Sequence, residues 1–318
     1  MLFFSIAVAA CGGGGGGGTS TGAAATSYTA AAMAGELLTY TVDTTNLTYS
    51  YTITDSQYGL AGKTGSGTLI HNSDGTYSPS GISNAKVAIL PNGLLLGAIR
   101  ETINGILTTI PIVGISNPVT AITLSTYNYV QRSCLTGSCG SGYGTFQITA
   151  AGTWTSCPSG NLTTGCPGTT NSGTLNSLGG GRWQVLDATS TNIGTAIMLN
   201  SGGQQVVFLD LKDTRIGGFG VGLLVGSSQQ SVTTAQTNGT WVAASTTGNH
   251  ATFSVSGNQV SYLTINGVTS ILTTTFTSNS PWAGFATTAS GGHALLAGTG
   301  VYAYENAGGY AEIGIKIN

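Results

Sequence analysis

Short segments of alternating apolar and polar residues, separated by glycine-containing turns, recur along the chain and constrain its fold more than any other feature. Such a two-residue period is typical of half-buried strands, because successive side chains of a strand point to opposite faces of the sheet. The clearest strand predictions are residues 36–42, 47–54, 66–71, 76–78, 86–90 and 94–100. The turns include Asn72-Ser73-Asp74-Gly75, Pro91-Asn92-Gly93, Asn104-Gly105, Ser201-Gly202-Gly203, Ser256-Gly257-Asn258, Asn266-Gly267 and Gly308-Gly309. This spacing predicts an all-β protein of antiparallel meanders, arranged as sandwich or barrel units.

Helical periodicity is nearly absent, and only the alanine-rich residues 23–34 are compatible with a short helix. Charged residues make up 6% of the chain, against about 25% in ordinary soluble domains. Disorder is nevertheless not expected, since 40% of the residues are hydrophobic and 13 are tyrosines. The eight Lys and Arg residues are scattered and the net charge is −2. Nucleic acid, which needs clustered cations, is therefore not predicted as a partner.

The N-terminus has the pattern of an export signal followed by a lipid attachment site. Residues 2–10 form an apolar run, too short to cross a bilayer and as long as the apolar part of a signal peptide. Val8-Ala9-Ala10-Cys11 resembles a lipobox, which implies cleavage after Ala10 and attachment of acyl chains, palmitate among them, to Cys11. The basic segment that usually precedes such a run is missing, as expected if the signal peptide of residues 1–10 is truncated.

A tether and two β units are expected to follow. Residues 11–35 contain seven consecutive glycines and many Ala, Ser and Thr residues, which predicts a flexible spacer after the lipidated Cys11. Gly12, next to the lipidated residue, favours sorting to the outer membrane. The protein is therefore predicted to be lipid-anchored there, facing the periplasm or the cell surface. The two units are expected at residues 36–118 and 119–318.

Four further cysteines remain for pairing in an oxidising compartment: Cys134, Cys139, Cys157 and Cys166. An even number in an exported chain indicates two disulfides, and three pairings are possible. Both short intervals bracket glycine-containing turns, which favours local pairing of Cys134 with Cys139 and of Cys157 with Cys166. A four-thiolate zinc site fits the spacing poorly.

A weak internal repeat supports the two-unit interpretation. Thr48-Tyr49-Ser50-Tyr51 returns as Thr126-Tyr127-Asn128-Tyr129, and Ser66-Gly67-Thr68-Leu69 returns as Ser172-Gly173-Thr174-Leu175. An aromatic residue follows at Tyr77 and at Trp183, and a third, fainter copy starts at Asn238. The interval between the two landmarks is longer in the second copy and contains the four cysteines. Residues 134–166 are therefore predicted to be an insertion stapled by disulfides.

Several longer segments add a resemblance to known proteins. They are Cys11 to Gly18, residues 35–54 (GELLTYTVDTTNLTYSYTIT), residues 143–154 (YGTFQITAAGTW) and Pro281-Trp282-Ala283-Gly284-Phe285. Through them the chain resembles a group of bacterial lipoproteins that share a Cys-polyglycine start and a Gly/Thr/Tyr-rich all-β body. The resemblance covers most of the chain. It implies a fold and a location, and it implies no activity, cofactor or catalytic residue.

The candidate functional residues are few. No catalytic or metal-binding motif accompanies the three histidines, and no cofactor is predicted. Trp154, Trp183, Trp241 and Trp282 stand beside small residues, a pattern compatible with core filling or with a flat platform for a glycan or protein ligand. Asp210 and Asp213 lie in the densest charge cluster, either as parts of local ion pairs or as a glycosidase-like carboxylate pair.

These features favour a non-enzymatic envelope protein that acts in binding, adhesion or structural support. An envelope glycan hydrolase that uses the carboxylate pair is the alternative.

Overall fold

The computed structural model describes residues 25–135, 138–201, 203–212, 221–306 and 308–318. Within these ranges the chain forms 25 strands and one short helix, and every strand pairing is antiparallel. The strands build three consecutive sheets, which confirms the predicted all-β class.

The first sheet is a meander of eight strands. The strands are β1 (Thr26–Ala32), β2 (Glu36–Asp43), β3 (Thr48–Ser56), β4 (Thr64–His71), β5 (Tyr77–Pro79), β6 (Ala88–Ile89), β7 (Leu94–Ile103) and β8 (Ile106–Ile115). Strand β1 pairs with both β2 and β8, so the two ends of the meander meet. A bridge between Tyr77 and Val87 connects β5 to the start of β6. The sheet is therefore a nearly closed barrel.

The second sheet is a closed eight-stranded barrel. Its strands are β9 (Ser125–Leu135), β10 (Ser138–Ile148), β11 (Thr153–Pro158), β12 (Asn171–Gly179), β13 (Arg182–Asp187), β14 (Asn192–Ser201), β15 (Gln204–Leu211) and β16 (Val221–Ser228). A disulfide joins Cys134 to Cys139 across the β9–β10 hairpin, and another joins Cys157 to Cys166. The pairing is local, in agreement with the sequence spacing.

The third sheet begins after a short helix, α1 (Thr234–Thr237). Its strands are β17 (Gly239–Ser245), β18 (His250–Ser256), β19 (Gln259–Ile265), β20 (Val268–Thr269), β21 (Thr273–Ser278), β22 (Phe285–Thr288), β23 (His293–Leu296), β24 (Val301–Glu305) and β25 (Ala311–Lys316). Pairing of β18 with β19 closes the sheet into a barrel, and β20 forms a side hairpin on β19. No helix among the described residues is long and apolar enough to cross a membrane.

Alternation along the strands explains how the barrels are filled and how they pack together. On β24, Tyr302 contributes to the core inside the third barrel, while Val301 and Ala303 contribute to a core outside it. On β15, Val207 and Leu209 point into the second barrel, while Val206 and Phe208 point outward. Each barrel thus has its own interior core. The outward-facing apolar residues of all three barrels form one shared core between them.

Four sequence expectations need correction. The described part of the alanine-rich stretch does not form a helix, because Thr26–Ala32 forms the strand β1. This strand also shows that the spacer does not extend to residue 35. The predicted insertion at residues 134–166 contains β10 and β11, which are part of the second barrel wall. The chain forms three barrels and not two units, with the second predicted unit containing the second and third barrels.

The repeated Ser-Gly-Thr-Leu landmark has a physical reason. It lies on the fourth strand of the first two barrels, where Gly67 pairs with Tyr49 and Gly173 pairs with Trp154. A Cβ atom on Gly67 would lie 2.8 Å from the Tyr49 ring, and one on Gly173 would lie 2.7 Å from the Trp154 indole nitrogen. Both glycines therefore make room for an aromatic ring of the neighbouring strand. The other repeated segment does not occupy equivalent strands. Residues 48–51 lie on the third strand of the first barrel, and residues 126–129 lie on the first strand of the second.

Candidate ligand-binding cavity in the third barrel

The interior of the third barrel contains a cavity of about 420 Å³. A second, almost wholly apolar cavity inside the second barrel measures about 50 Å³. Small-molecule sites generally occupy about 300–1,000 Å³ and combine apolar walls with a few polar groups. The cavity of the third barrel fits this description and is the candidate functional site.

The floor of the third barrel is closed by Trp241 and the helix α1. Trp241 is fully buried, and its indole N–H donates to the carbonyl oxygen of Thr237 at 3.0 Å. The Trp241 ring lies parallel to Phe253, with 6.4 Å between the ring centres. A capping box formed by Thr233 and Gln236 fixes the start of α1. The aromatic floor and the capped helix close one end of the barrel.

The polar wall of the cavity centres on Glu312. Alternation along β25 sends Ala311 and Ile313 to the core between the barrels and leaves Glu312 on the inner face. Its Oε2 atom accepts hydrogen bonds from the hydroxyls of Tyr302 at 3.1 Å and Tyr262 at 3.5 Å. Its Oε1 atom accepts a hydrogen bond from Tyr310. These three tyrosines come from β19, β24 and the turn before β25, and barrel closure brings them together.

Burial and hydrogen bonding shift the pKa of Glu312 in opposite directions. Burial raises the pKa of Glu312 above its ordinary value, and the hydrogen bonds from Tyr310, Tyr302 and Tyr262 offset only part of this rise. Burial and the neighbouring Glu312 raise the pKa of Tyr262, Tyr302 and Tyr310. The tyrosine hydroxyls therefore keep their protons at neutral pH and act as donors to the carboxylate.

One side of the cavity lies beside the first barrel. His250, which lines the cavity, donates from Nδ1 to the carbonyl oxygen of Asn84, and burial is the main reason that its pKa is lowered. Lys86 bonds to Asp74 at 2.5 Å and to the hydroxyl of Thr252 at 3.2 Å. The contacts of His250 and Thr252 hold β18 against the first barrel.

The four tryptophans do not form a shared platform. Trp154 and Trp183 lie in the interior core of the second barrel. Trp241 forms the floor of the third barrel, and Trp282 packs against the core between the barrels. Of the two interpretations, core filling fits these positions, and the alternative of a shared glycan or protein platform gains no support from them.

Asp210 lies in a buried acidic cluster between the first and second barrels. It is 1% exposed and Glu36 is fully buried, and within the described part of the chain neither Oδ1 of Asp210 nor either carboxylate oxygen of Glu36 has a hydrogen-bond partner. Lys212 forms its ion pair with Asp55. Burial raises the pKa of Asp210 well above its usual value, with Asp55 and Glu36 adding to the effect. Burial, with a contribution from Glu101, raises the pKa of Glu36 to about 7.

This position does not favour the predicted carboxylate pair. Asp210 lines neither the cavity of the second barrel nor that of the third. Its predicted companion Asp213 lies outside the described residues, as does Cys11 with its glycine tract. The glycosidase alternative therefore gains no support from the surroundings of Asp210.

A serine, a histidine and a carboxylate do meet where the second barrel contacts the third. The Ser141 hydroxyl donates to Oε2 of Glu305 at 2.6 Å, and Nδ1 of His293 lies 2.7 Å from Oε1 of Glu305. The carboxylate thus lies between the serine and the histidine, so His293 is not placed to take the serine proton. Among the described residues, no group of three His, Cys, Asp or Glu side chains is placed to hold a metal ion.

No family model and no curated protein matches the chain. A solved structure of a double mutant of the vaccine antigen transferrin-binding protein B from Haemophilus parasuis Hp5 is 10% identical, with a TM-score of 0.27 and 88% of this chain covered. The chain spans 65% of the length of that protein. A protein of unknown function from the DUF3598 family of Nostoc punctiforme is 12% identical over 92% of this chain and 94% of its own, with a TM-score of 0.18. TM-scores of this size do not establish a shared fold.

Proposed function

We propose that the protein is a non-enzymatic binding module of the cell envelope, anchored by a lipid on Cys11, which holds a small ligand inside its third barrel. The observation that carries the binding proposal is the cavity of about 420 Å³ with its Glu312–tyrosine wall. Eight-stranded barrels can hold one small ligand when their interior is not filled by side chains. A cavity of about 420 Å³ suits one small ligand of this kind. Adhesion or structural support would instead use the outer surfaces of the barrels.

The chemistry of the cavity supports binding more than hydrolysis. Glycoside hydrolysis generally needs two carboxyl groups on opposite sides of the scissile bond. Glu312 is the single carboxyl group among the residues that line this cavity. Its oxygens are engaged by three tyrosine hydroxyls, which suits a group that holds a ligand in place.

A cavity-filling variant tests the binding site. Thr274 and Thr275 are neighbours on β21; Thr274 lines the cavity, while the exposed Thr275 is not among the lining residues. The fluorescence of the neutral probe N-phenyl-1-naphthylamine should rise when it enters the barrel. Thr274→Phe should weaken this binding about tenfold or more, a loss of roughly 1.4 kcal/mol. Thr275→Phe, which adds the same ring outside the cavity, should bind as the wild type does. Equal binding by both folded variants would show that the probe does not occupy this cavity.

The anchor is tested separately. Cys11→Ser should abolish labelling with radioactive palmitate and move the protein from the membrane fraction to the soluble fraction, because no acyl chain can be attached. Thr19→Ala, just beyond the glycine tract, should leave both the label and the fractionation unchanged. A Cys11→Ser protein that keeps the label would refute lipidation at this residue.

A further inference from the structure

The cavity of the third barrel contains a carboxylate without a nearby cation. No Asp, Glu, Lys or Arg occurs between Arg215 and Glu305, so most of this barrel carries no formal charge. Lys316 lies four residues from Glu312 on the same strand, about 13 Å away at the usual rise of a strand, and it bonds to the Gln236 carbonyl at the floor. Among the described residues no Lys or Arg forms an ion pair with Glu312.

The three tyrosine hydroxyls that contact Glu312 have no further proton to donate. A tyrosine hydroxyl carries one proton, and the hydroxyls of Tyr262, Tyr302 and Tyr310 all donate theirs to Glu312. The oxygen atoms of these groups can therefore only accept further hydrogen bonds. A carboxylate can accept about four, and three are present, which leaves capacity on Oε1. A ligand group that contacts Glu312 or these three tyrosine oxygens must therefore be a donor.

The surrounding rings add a second preference. The Phe253 ring centre lies 5.2 Å from that of Tyr302 and 5.5 Å from that of Tyr262. Electron-rich ring faces attract a cation within about 6 Å, and the attraction is larger where water is excluded. An anion beside Glu312 would be repelled by the carboxylate and would meet three tyrosine hydroxyls whose protons are already donated.

We propose that the cavity binds a protonated primary amine with an apolar body, whose ammonium group donates to Glu312 and lies against the tyrosine rings. This inference rests on the proposed binding function and names its ligand class. A buried carboxylate costs free energy unless it is paired, and an ammonium ligand supplies the missing charge, whereas a neutral sugar does not. The apolar side chains of Val260, Phe276 and Leu296 surround the body of the ligand.

The test compares two ligands of the same skeleton by titration calorimetry at pH 7.5. 2-Phenylethylamine is protonated at this pH, and 2-phenylethanol replaces its ammonium group with a hydroxyl. The wild type should bind the amine about 10–100 times more tightly than the alcohol, as expected for a hydrogen bond to a charged group. Glu312→Gln should reduce this ratio to nearly one. Thr275→Phe, which lies outside the cavity, should keep the preference. If Glu312→Gln does not fold, the comparison of amine and alcohol on the wild type still tests the ligand class.

The outcomes separate the two proposals. Equal affinity for amine and alcohol, or binding of a neutral sugar such as methyl glucoside in preference to the amine, would overturn the ligand class and leave the binding function standing. A preference for the amine that persists in folded Glu312→Gln would also overturn it. If the amine, the alcohol and N-phenyl-1-naphthylamine all fail to bind the folded wild type, the binding function itself is refuted.

Discussion

Phe208→Ala is expected to lower the free energy of unfolding by about 3–5 kcal/mol, the range for removing a buried ring from a tightly packed core. Phe208 is fully buried and belongs to the core shared by the three barrels. Its neighbours in this core include Leu96 of the first barrel and Phe285 of the third. The substitution leaves a cavity where the barrels meet and not inside one of them. Urea denaturation monitored by tryptophan fluorescence measures the loss.

A shared core also predicts how the protein unfolds. Because one apolar cluster joins all three barrels, Phe208→Ala should lower the unfolding midpoint of each barrel together. Ile106→Ala provides the control, since Ile106 is 69% exposed at the start of β8 and should change stability by less than about 0.5 kcal/mol. Loss of stability confined to the second barrel, seen as a separate transition, would contradict the shared core.

The strand pattern could be predicted where a strand has one buried face. Residues 36–42 and 47–54 alternate strongly and correspond to β2 and β3. The Asn-Gly turns were equally informative, since Asn104 and Gly105 both have positive φ angles, as a type I′ hairpin requires. These signals are local, and the local structure follows them.

The number of barrels could not be predicted because packing between barrels removes the alternation. All residues of β15 and β16 are buried, since one face fills the second barrel and the other meets its neighbours. Ala30 and Ala31 lie in a strand and not in the expected helix for a similar reason. Strand β1 lies between β2 and β8, and this tertiary setting overrides the helical preference of alanine. Sequence spacing carries no information about which strands become central in this way.

The candidate site was missed because its parts are distant in sequence. Tyr262 and Glu312 are 50 residues apart, and barrel closure brings their side chains together. A signal was nevertheless present, since Glu312 is one of very few charged residues in an otherwise uncharged region and Tyr302 and Tyr304 alternate on the preceding strand. The tryptophans are large aromatic residues beside small ones, and such residues most often fill cores.

The buried acids between the first two barrels predict that stability falls as the pH rises above the acidic range. Glu36 has a pKa of about 7 in the folded protein because of burial and Glu101, against its usual value of 4.5 in the unfolded chain. Below pH 4.5 Glu36 is protonated in both the folded and the unfolded state, so it does not lower the free energy of unfolding. Between pH 4.5 and 7 the unfolded chain releases this proton while the folded protein retains it, so unfolding becomes more favourable. Above pH 7 the cost is constant, at about 3 kcal/mol for a shift of this size.

Glu36→Gln should therefore remove about 2.5 kcal/mol of this pH dependence between pH 5 and pH 8, because glutamine does not titrate. Urea denaturation of the wild type and the variant at both pH values measures the difference. Asp210→Asn should act in the same direction, since burial, Asp55 and Glu36 raise the pKa of Asp210. Asp43→Asn is the control: Asp43 is half-buried and the hydrogen bonds from Asn46 lower its pKa, so the fall in stability above pH 5 should persist. If Glu36→Gln and the wild type lose the same stability between pH 5 and pH 8, Glu36 does not titrate as a buried carboxyl group between the barrels.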